Sequence, residues 1–269
     1  MKLSISNIAW DNLEDKKISK ILPNYGFFAI EIAPTKVWKN LEKLQKNDII
    51  DYKNFWKKQG IRIIGFQSLL YGKDDFNIFN LNIMNDILYY LNKVFWVGNI
   101  LEIKTAVFGS PKNRFKGNLS IFEAEKRAID FFYKFGEIGK KYNIKIALEP
   151  NPREYGADFL MNTQETLDFI KKINHPFIQL NLDTGILILN KENLEQSIKS
   201  SISYLTHFHI SEPYLNIIDE DKFNIHIKIA KILKKIKYKN YCSIEMKSKR
   251  KNNLEHIKKT ISFISKIYG

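Results

Sequence analysis

The stretch IQLNLDTGILILNKENLEQSIKSSISYLTHFHI, residues 178–210, contains the pattern that decides the fold. Its two ends, Ile178–Asp183 and His207–Ile210, are short apolar or alternating runs that predict β-strands. Leu194–Ser203, between them, has the period of a helix. A strand, a helix and a second strand in this order predict two parallel strands joined by a right-handed crossover.

The same alternation occurs eight times along the 269 residues. The other predicted strands are Leu3–Ala9, Phe28–Ala33, Arg62–Ser68, Leu101–Phe108, Lys145–Glu149 and Cys242–Met246. The other predicted helices lie near Lys16–Leu22, Ile49–Lys58, Leu81–Val97, Ile121–Tyr142, Thr163–Ile173, Ile225–Ile236 and Leu254–Ile267. Eight repeats without a Pro/Gly/Ser-rich linker predict an α/β protein with one domain, residues 1–269, closed as a (β/α)8 TIM barrel. An open doubly wound sheet is the alternative, but no Gly-rich dinucleotide fingerprint follows the first strand.

Composition narrows the functional classes. The net charge of +14 raises the question of nucleic acid, but the lysines are spread over nearly every predicted helix, as in solvated outer faces. We therefore expect no nucleic-acid partner. The polar start Met-Lys-Leu-Ser-Ile-Ser-Asn and the lack of a long apolar run predict a cytoplasmic protein without a membrane segment. Cys242 is the only cysteine, which excludes an internal disulfide and a thiolate-rich metal site.

Four consecutive predicted strands close with potential metal ligands. These are Glu149, Asp183, His209 and Glu245. Strand alternation places all four on the face opposite the bulky apolar residues, and hence towards the barrel axis at the end where such barrels bind ligands. Three converging carboxylates would repel one another without a cation, so the pattern predicts one divalent metal ion. The ligand types suit Mn²⁺, Mg²⁺, Co²⁺ or Zn²⁺ and do not choose among them.

Further polar residues lie near the same predicted mouth. Lys112 and Arg114 follow Gly109-Ser-Pro after the fourth strand and could bind a phosphate or carboxylate, or could simply be solvated. A second group of side chains is predicted to line a substrate pocket or to support the metal ligands: Trp10, Glu31, Gln67, Glu154, His207 and Glu212. Trp10 could equally plug the barrel.

These residues together resemble the xylose isomerase-like barrel superfamily, the sugar phosphate isomerase/epimerase group that also includes the apurinic endonucleases of family 2. The resemblance covers nearly the whole chain, including Gly26–Pro34, Gly65–Leu70 and Gly109–Arg114. The spacing of the quartet is similar to that of the ketohexose epimerase branch. In that branch the residues matching Glu149 and Glu245 are both metal ligands and the acid/base pair, and those matching Asp183 and His209 complete the coordination.

The resemblance implies a metal-dependent isomerase or epimerase that acts on a small carbohydrate. The alternatives are a metal-dependent dehydratase that acts on a cyclic polyol and a non-catalytic accessory barrel in carbohydrate biosynthesis. The sequence does not decide whether the chain forms a homo-oligomer. An apurinic endonuclease would need histidines at the ends of the third and fourth strands. This chain has Gln67-Ser and Phe108-Gly there, which argues against that function. The sugar epimerases tend to have a histidine and an arginine at the positions of Ile186 and Leu215, so the resemblance does not determine the substrate.

Overall fold

Parallel strands close into a barrel in the order in which they occur along the chain, and the last strand pairs with the first. The computed structural model describes residues 1–218, 222–249 and 251–269. Within these ranges the strands are β1 Lys2–Ser6, β2 Ala29–Ile32, β3 Arg62–Phe66, β4 Thr105–Phe108, β5 Lys145–Leu148, β6 Ile178–Asp183, β7 Leu205–Ile210 and β8 Tyr241–Ile244. The predicted (β/α)8 TIM barrel is confirmed.

Helices surround the barrel and bury their apolar faces against it. They are α1 Asp15–Ile21, α2 Pro34–Val37, α3 Lys46–Lys58, α4 Met84–Leu101, α5 Ile121–Tyr142, α6 Thr163–Ile173, α7 Thr184–Leu189, α8 Leu194–Ser201, α9 Phe223–Lys235 and α10 Asn253–Tyr268. Phe108 on β4, for example, packs edge-on against Phe132 of α5 with ring centroids 5.2 Å apart. The core therefore lies mainly between the strands and the outer helices. None of these helices is long and apolar enough to cross a membrane.

Several element boundaries differ from the sequence prediction, and two of them have a clear local cause. β1 ends at Ser6 rather than at Ala9, because the Ser6 hydroxyl accepts a hydrogen bond from the Ile8 amide and starts a 3-10 turn. The predicted start of β4 at Leu101 is wrong, since Leu101 is the last residue of α4 and Glu102 follows in the left-handed conformation. The short helices α2 and α7 were not predicted; α7 begins directly after Asp183, which caps it.

Candidate metal centre

The four predicted ligands lie at the carboxyl ends of four neighbouring strands. Asp183 is the last residue of β6 and pairs in register with His209 of β7. Glu149 and Glu245 directly follow β5 and β8, and their amides continue the strand hydrogen bonds to Phe108 and Ile210. Because parallel strands keep their register around the barrel, the four side chains point towards one volume.

The ligand atoms of these four side chains all lie within 4.8 Å of one another. His209 Nδ1 is 3.0 Å from Glu149 Oε1 and 3.3 Å from Glu245 Oε2. The side chains of His209, Glu149 and Glu245 are only 1%, 12% and 11% exposed. The structure thus brings the predicted quartet together in a nearly buried cluster.

Charge within this cluster is unfavourable without a cation. Burial and then the carboxylates of Glu149 and Glu245 raise the pKa of Asp183 to about 8, and burial raises the pKa of Glu245. Burial alone would lower the pKa of His209, but the carboxylates of Glu31 and Glu245 outweigh it and raise that pKa well above its ordinary value. In the metal-free protein, bound protons therefore reduce the repulsion between the carboxylates. A divalent ion would neutralise the same carboxylates more effectively.

Asp183 itself has one oxygen that faces the cluster without a partner. Its Oδ1 accepts hydrogen bonds from Ser211 Oγ at 2.7 Å and from the Ile186 amide at 2.8 Å. Its Oδ2 is buried and accepts none. A buried carboxylate oxygen without a donor is costly, and metal coordination would satisfy it. The residues present therefore fit a divalent metal.

Glu31 lies beneath the quartet and joins two imidazoles. Its Oε2 is 3.0 Å from His209 Nε2 and its Oε1 is 3.4 Å from His207 Nε2. Burial opposes its ionisation, but the two histidines hold the pKa of Glu31 well below its usual range. Sequence reasoning named Glu31 and His207 as pocket residues; the structure instead buries both, with Glu31 orienting the ring of His209.

Asn181 is a neighbour of the cluster that sequence reasoning did not name. Its Nδ2 donates to Glu149 Oε1 at 2.6 Å and lies 3.2 Å from His209 Nδ1. The available signal was strand alternation, because Asn181 precedes Asp183 by two residues and shares its inward face. Asn181 fixes the Glu149 carboxylate, leaving Oε2 as the oxygen that lies against Gly109.

A cavity of about 260 Å³ opens above the cluster, at the carboxyl ends of the strands. Its lining includes Glu149, Asp183, His209 and Glu245 together with Gln67, Ser68, Tyr155, Ile186, Tyr214, Leu215 and Lys247. Gln67 was predicted here, and its amide donates to Ser6 Oγ. Tyr155 and Lys247 were not predicted, because they lie on loops whose path the strand pattern does not determine.

The remaining predicted pocket residues lie outside this lining. Trp10 is buried against Trp56, and its indole donates to Asp15 Oδ1 at 2.6 Å. Glu212 turns away from the cavity to His226 Nε2, 2.9 Å distant. Glu154 is exposed, so it does not support the metal ligands.

Lys112 and Arg114 separate in the structure. Lys112 is exposed to solvent, whereas Arg114 is fully buried. Arg114 Nη2 donates to the backbone carbonyl of Glu149 at 2.6 Å, and burial lowers the pKa of Arg114 to about 10. Arg114 therefore braces the end of β5 from behind and does not line the cavity.

Comparison with known proteins gives the following matches. A family model described as xylose isomerase-like TIM barrel matches residues 20–267. No curated protein gave a significant sequence match. Among solved structures, 3-keto-D-glucoside 4-epimerase YcjR from E. coli superposes with a TM-score of 0.79 at 14% identity, over 99% of both chains.

Two further structures superpose equally well. D-psicose 3-epimerase has a TM-score of 0.81 at 15% identity over 100% of both chains. L-ribulose 3-epimerase has a TM-score of 0.82 at 15% identity, over 100% of this chain and 95% of its own. At these identities the likeness establishes the fold alone.

Proposed function

The chain belongs to the xylose isomerase-like TIM barrel family, and from that premise we propose that it is a divalent-metal-dependent isomerase or epimerase of a sugar or sugar phosphate. The observation that carries the proposal is the convergence of Glu149, Asp183, His209 and Glu245, with Asp183 Oδ2 left without a donor. The similar structures named above are epimerases that act on sugars, which supports the same class of substrate.

The four residues would hold the metal through three carboxylates and one imidazole nitrogen. His209 offers Nδ1, because its Nε2 is directed at Glu31. Asp183 offers Oδ2, because its Oδ1 is occupied by Ser211 and the Ile186 amide. A bound divalent ion would supply Lewis-acid stabilisation of the negative charge that develops on the substrate when a proton leaves the carbon next to its carbonyl.

Glu149 and Glu245 are proposed as the acid/base pair. Both line the cavity, and they enter it from strands on either side of β6 and β7. One carboxylate removes the proton from the substrate carbon. The other returns a proton to the opposite face of that carbon in an epimerase, or to the neighbouring carbon in an isomerase.

The cavity suits a small substrate with one less polar end. Its volume of about 260 Å³ is that of a site for a small molecule, not for a polymer. Ile186 and Leu215, which replace a histidine and an arginine expected from the resemblance, both line it. We infer that the substrate makes apolar contact with these two side chains and hydrogen bonds with Gln67 and Tyr155.

Incubation in D₂O tests the proposed reaction. Protein loaded with Mn²⁺ is incubated with D-fructose, L-ribulose and their phosphates, and solvent deuterium in the recovered sugars is measured by mass spectrometry. We expect deuterium at one sugar carbon, abolished by Glu149→Gln and by Glu245→Gln. Glu154→Gln, which neutralises an exposed carboxylate, is the matched control and should retain exchange.

Three other outcomes of this experiment would change the proposal. Loss of water from the sugar would replace the isomerase or epimerase with a lyase. Exchange that survives in both Glu149→Gln and Glu245→Gln would contradict the assigned acid/base pair. Metal binding without exchange on any of these sugars would contradict the proposed substrate class.

A further inference from the structure

A second and larger concavity, of about 800 Å³, lies at the opposite end of the barrel. We call it the amino-terminal cavity, because the first residues of β1, β3, β5 and β8 line it: Lys2, Arg62, Lys145 and Tyr241. Its inner surface reaches His207, whose Nε2 is directed at Glu31 Oε1, 3.4 Å away. The metal centre uses none of the strand-start residues.

Positive charge dominates the lining of the amino-terminal cavity. Six cationic side chains contribute to it: Lys2, Lys53, Lys57, Arg62, Lys104 and Lys145. The single carboxylate in the lining is Glu102, which pairs with Lys53 at 3.0 Å and whose pKa is lowered chiefly by that contact and further by Lys57 and Lys104. Within the described residues, none of the other five cations lies within ion-pair distance of an acidic group. Charges of one sign around one concavity focus a field that attracts anions.

The cations of this cavity come from two kinds of position. The carboxyl ends of the outer helices point to this end of the barrel, and their dipoles favour a cation such as Lys57 in the last turn of α3. Lys2, Arg62 and Lys145 lie at the starts of three strands, which the barrel brings to the same concavity. Like charges gathered around one concavity repel one another, and an anion bound between them would relieve that repulsion.

We propose that the amino-terminal cavity binds a small, multiply charged phosphate compound. Arg62 provides a planar guanidinium that matches phosphate oxygens, and the lysines provide point charges around it. Thr206, Asn240 and Tyr241 line the same space and add hydrogen-bonding groups. Its volume of about 800 Å³ fits a small molecule better than an extended nucleic acid. This site is separate from the proposed metal chemistry and holds whether or not that chemistry is correct.

Calorimetric titration with pyrophosphate tests the proposal on the full chain. We expect one saturable site per chain whose dissociation constant rises about tenfold in the double variant Arg62→Gln/Lys145→Gln, because two screened charge contacts are lost. The matched control is Lys16→Gln/Lys17→Gln, which removes the same charge from exposed positions on α1. The control should bind pyrophosphate as the natural chain does.

Other results would overturn the proposal. Equal weakening in both double variants would mean attraction by net charge alone. Binding that neither variant alters would place the anion elsewhere, for instance at the metal centre. Absence of a saturable pyrophosphate site, together with tight binding of a short single-stranded RNA, would assign the surface to a nucleic acid instead.

Discussion

Asp183 carries the pH dependence that we expect of metal binding. Burial and the carboxylates of Glu149 and Glu245 raise its pKa to about 8 in the metal-free protein, so it keeps its proton at neutral pH. A divalent ion must displace that proton. Metal affinity should therefore increase from about pH 6 to about pH 8, by up to about tenfold per pH unit for each proton displaced, and rise less steeply above that pH, where Asp183 has already lost its proton and His209 still releases one.

Titration calorimetry in two buffers with different ionisation enthalpies measures the protons released on metal binding. We expect release near neutral pH that declines as the pH rises above the pKa of Asp183. Affinity that is constant over this range would contradict a protonated Asp183 in the metal-free protein.

Glu31 gives a second prediction at the residue scale, because it holds the far side of the His209 ring through a 3.0 Å contact. Replacing it by Gln removes the charge that fixes the ring and its tautomer. We expect Glu31→Gln to weaken metal binding by about 10- to 100-fold, the usual effect of losing such a partner. Glu154→Gln removes an exposed carboxylate and should leave the affinity unchanged. Equal affinities in natural protein and Glu31→Gln, measured by competition with a chelating dye, would remove Glu31 from this role.

Strand phase was enough to predict which residues converge, but not which contacts cross the barrel. The convergence of Glu149, Asp183, His209 and Glu245 follows from alternation along each strand. The contact of Glu31 on β2 with His209 on β7 depends on how the barrel closes, which no local pattern contains. Glu212 illustrates the same limit, since its partner His226 lies on α9.

At the scale of elements, the backbone of the turn after β4 passes close to the Glu149 carboxylate, and Gly109 makes this approach possible. A Cβ added at Gly109 would lie 2.6 Å from Glu149 Oε2, closer than real Cβ contacts. Gly109→Ala should therefore displace that carboxylate and reduce both metal affinity and turnover, with little loss of stability because the clash falls on a side-chain end.

Gly136→Ala is the matched control for this prediction. A Cβ there would meet the His175 ring at 2.5 Å, in the packing of α5 and far from the cluster. We expect it to lower the melting temperature while metal affinity is retained. Thermal unfolding and metal titration of both variants separate the two effects; a Gly109→Ala protein with unchanged metal affinity and activity would show that Glu149 does not need this approach.

Element boundaries were predicted well where periodicity is strong and poorly where a cap decides. α5 and α6 were predicted residue for residue, because apolar and polar positions alternate with a clear helical period. α7 was missed because Thr184–Leu189 is short and largely apolar, with no polar face to reveal a helix. Its start is determined by the Asp183 side chain, which accepts from the Ile186 amide.

At the scale of the whole molecule, the two mouths of the barrel differ in charge. The carboxyl end gathers three carboxylates around the proposed metal, and the amino end gathers six cations and one carboxylate around the amino-terminal cavity. The eightfold strand–helix alternation was sufficient to predict the barrel. It was not sufficient to predict the basic mouth, because its lysines and Arg62 are scattered along the sequence and converge only when parallel strands start at one level.

Metal content is the most direct test of the central claim, that Glu149, Asp183, His209 and Glu245 hold one divalent ion. Protein incubated with Mn²⁺, freed of excess metal and examined by elemental analysis should contain one ion per chain. The double variant Asp183→Asn/Glu245→Gln should contain almost none, while its circular dichroism remains that of the natural chain. Absence of bound metal in the natural chain, or the same metal content in the folded double variant, would contradict the claim.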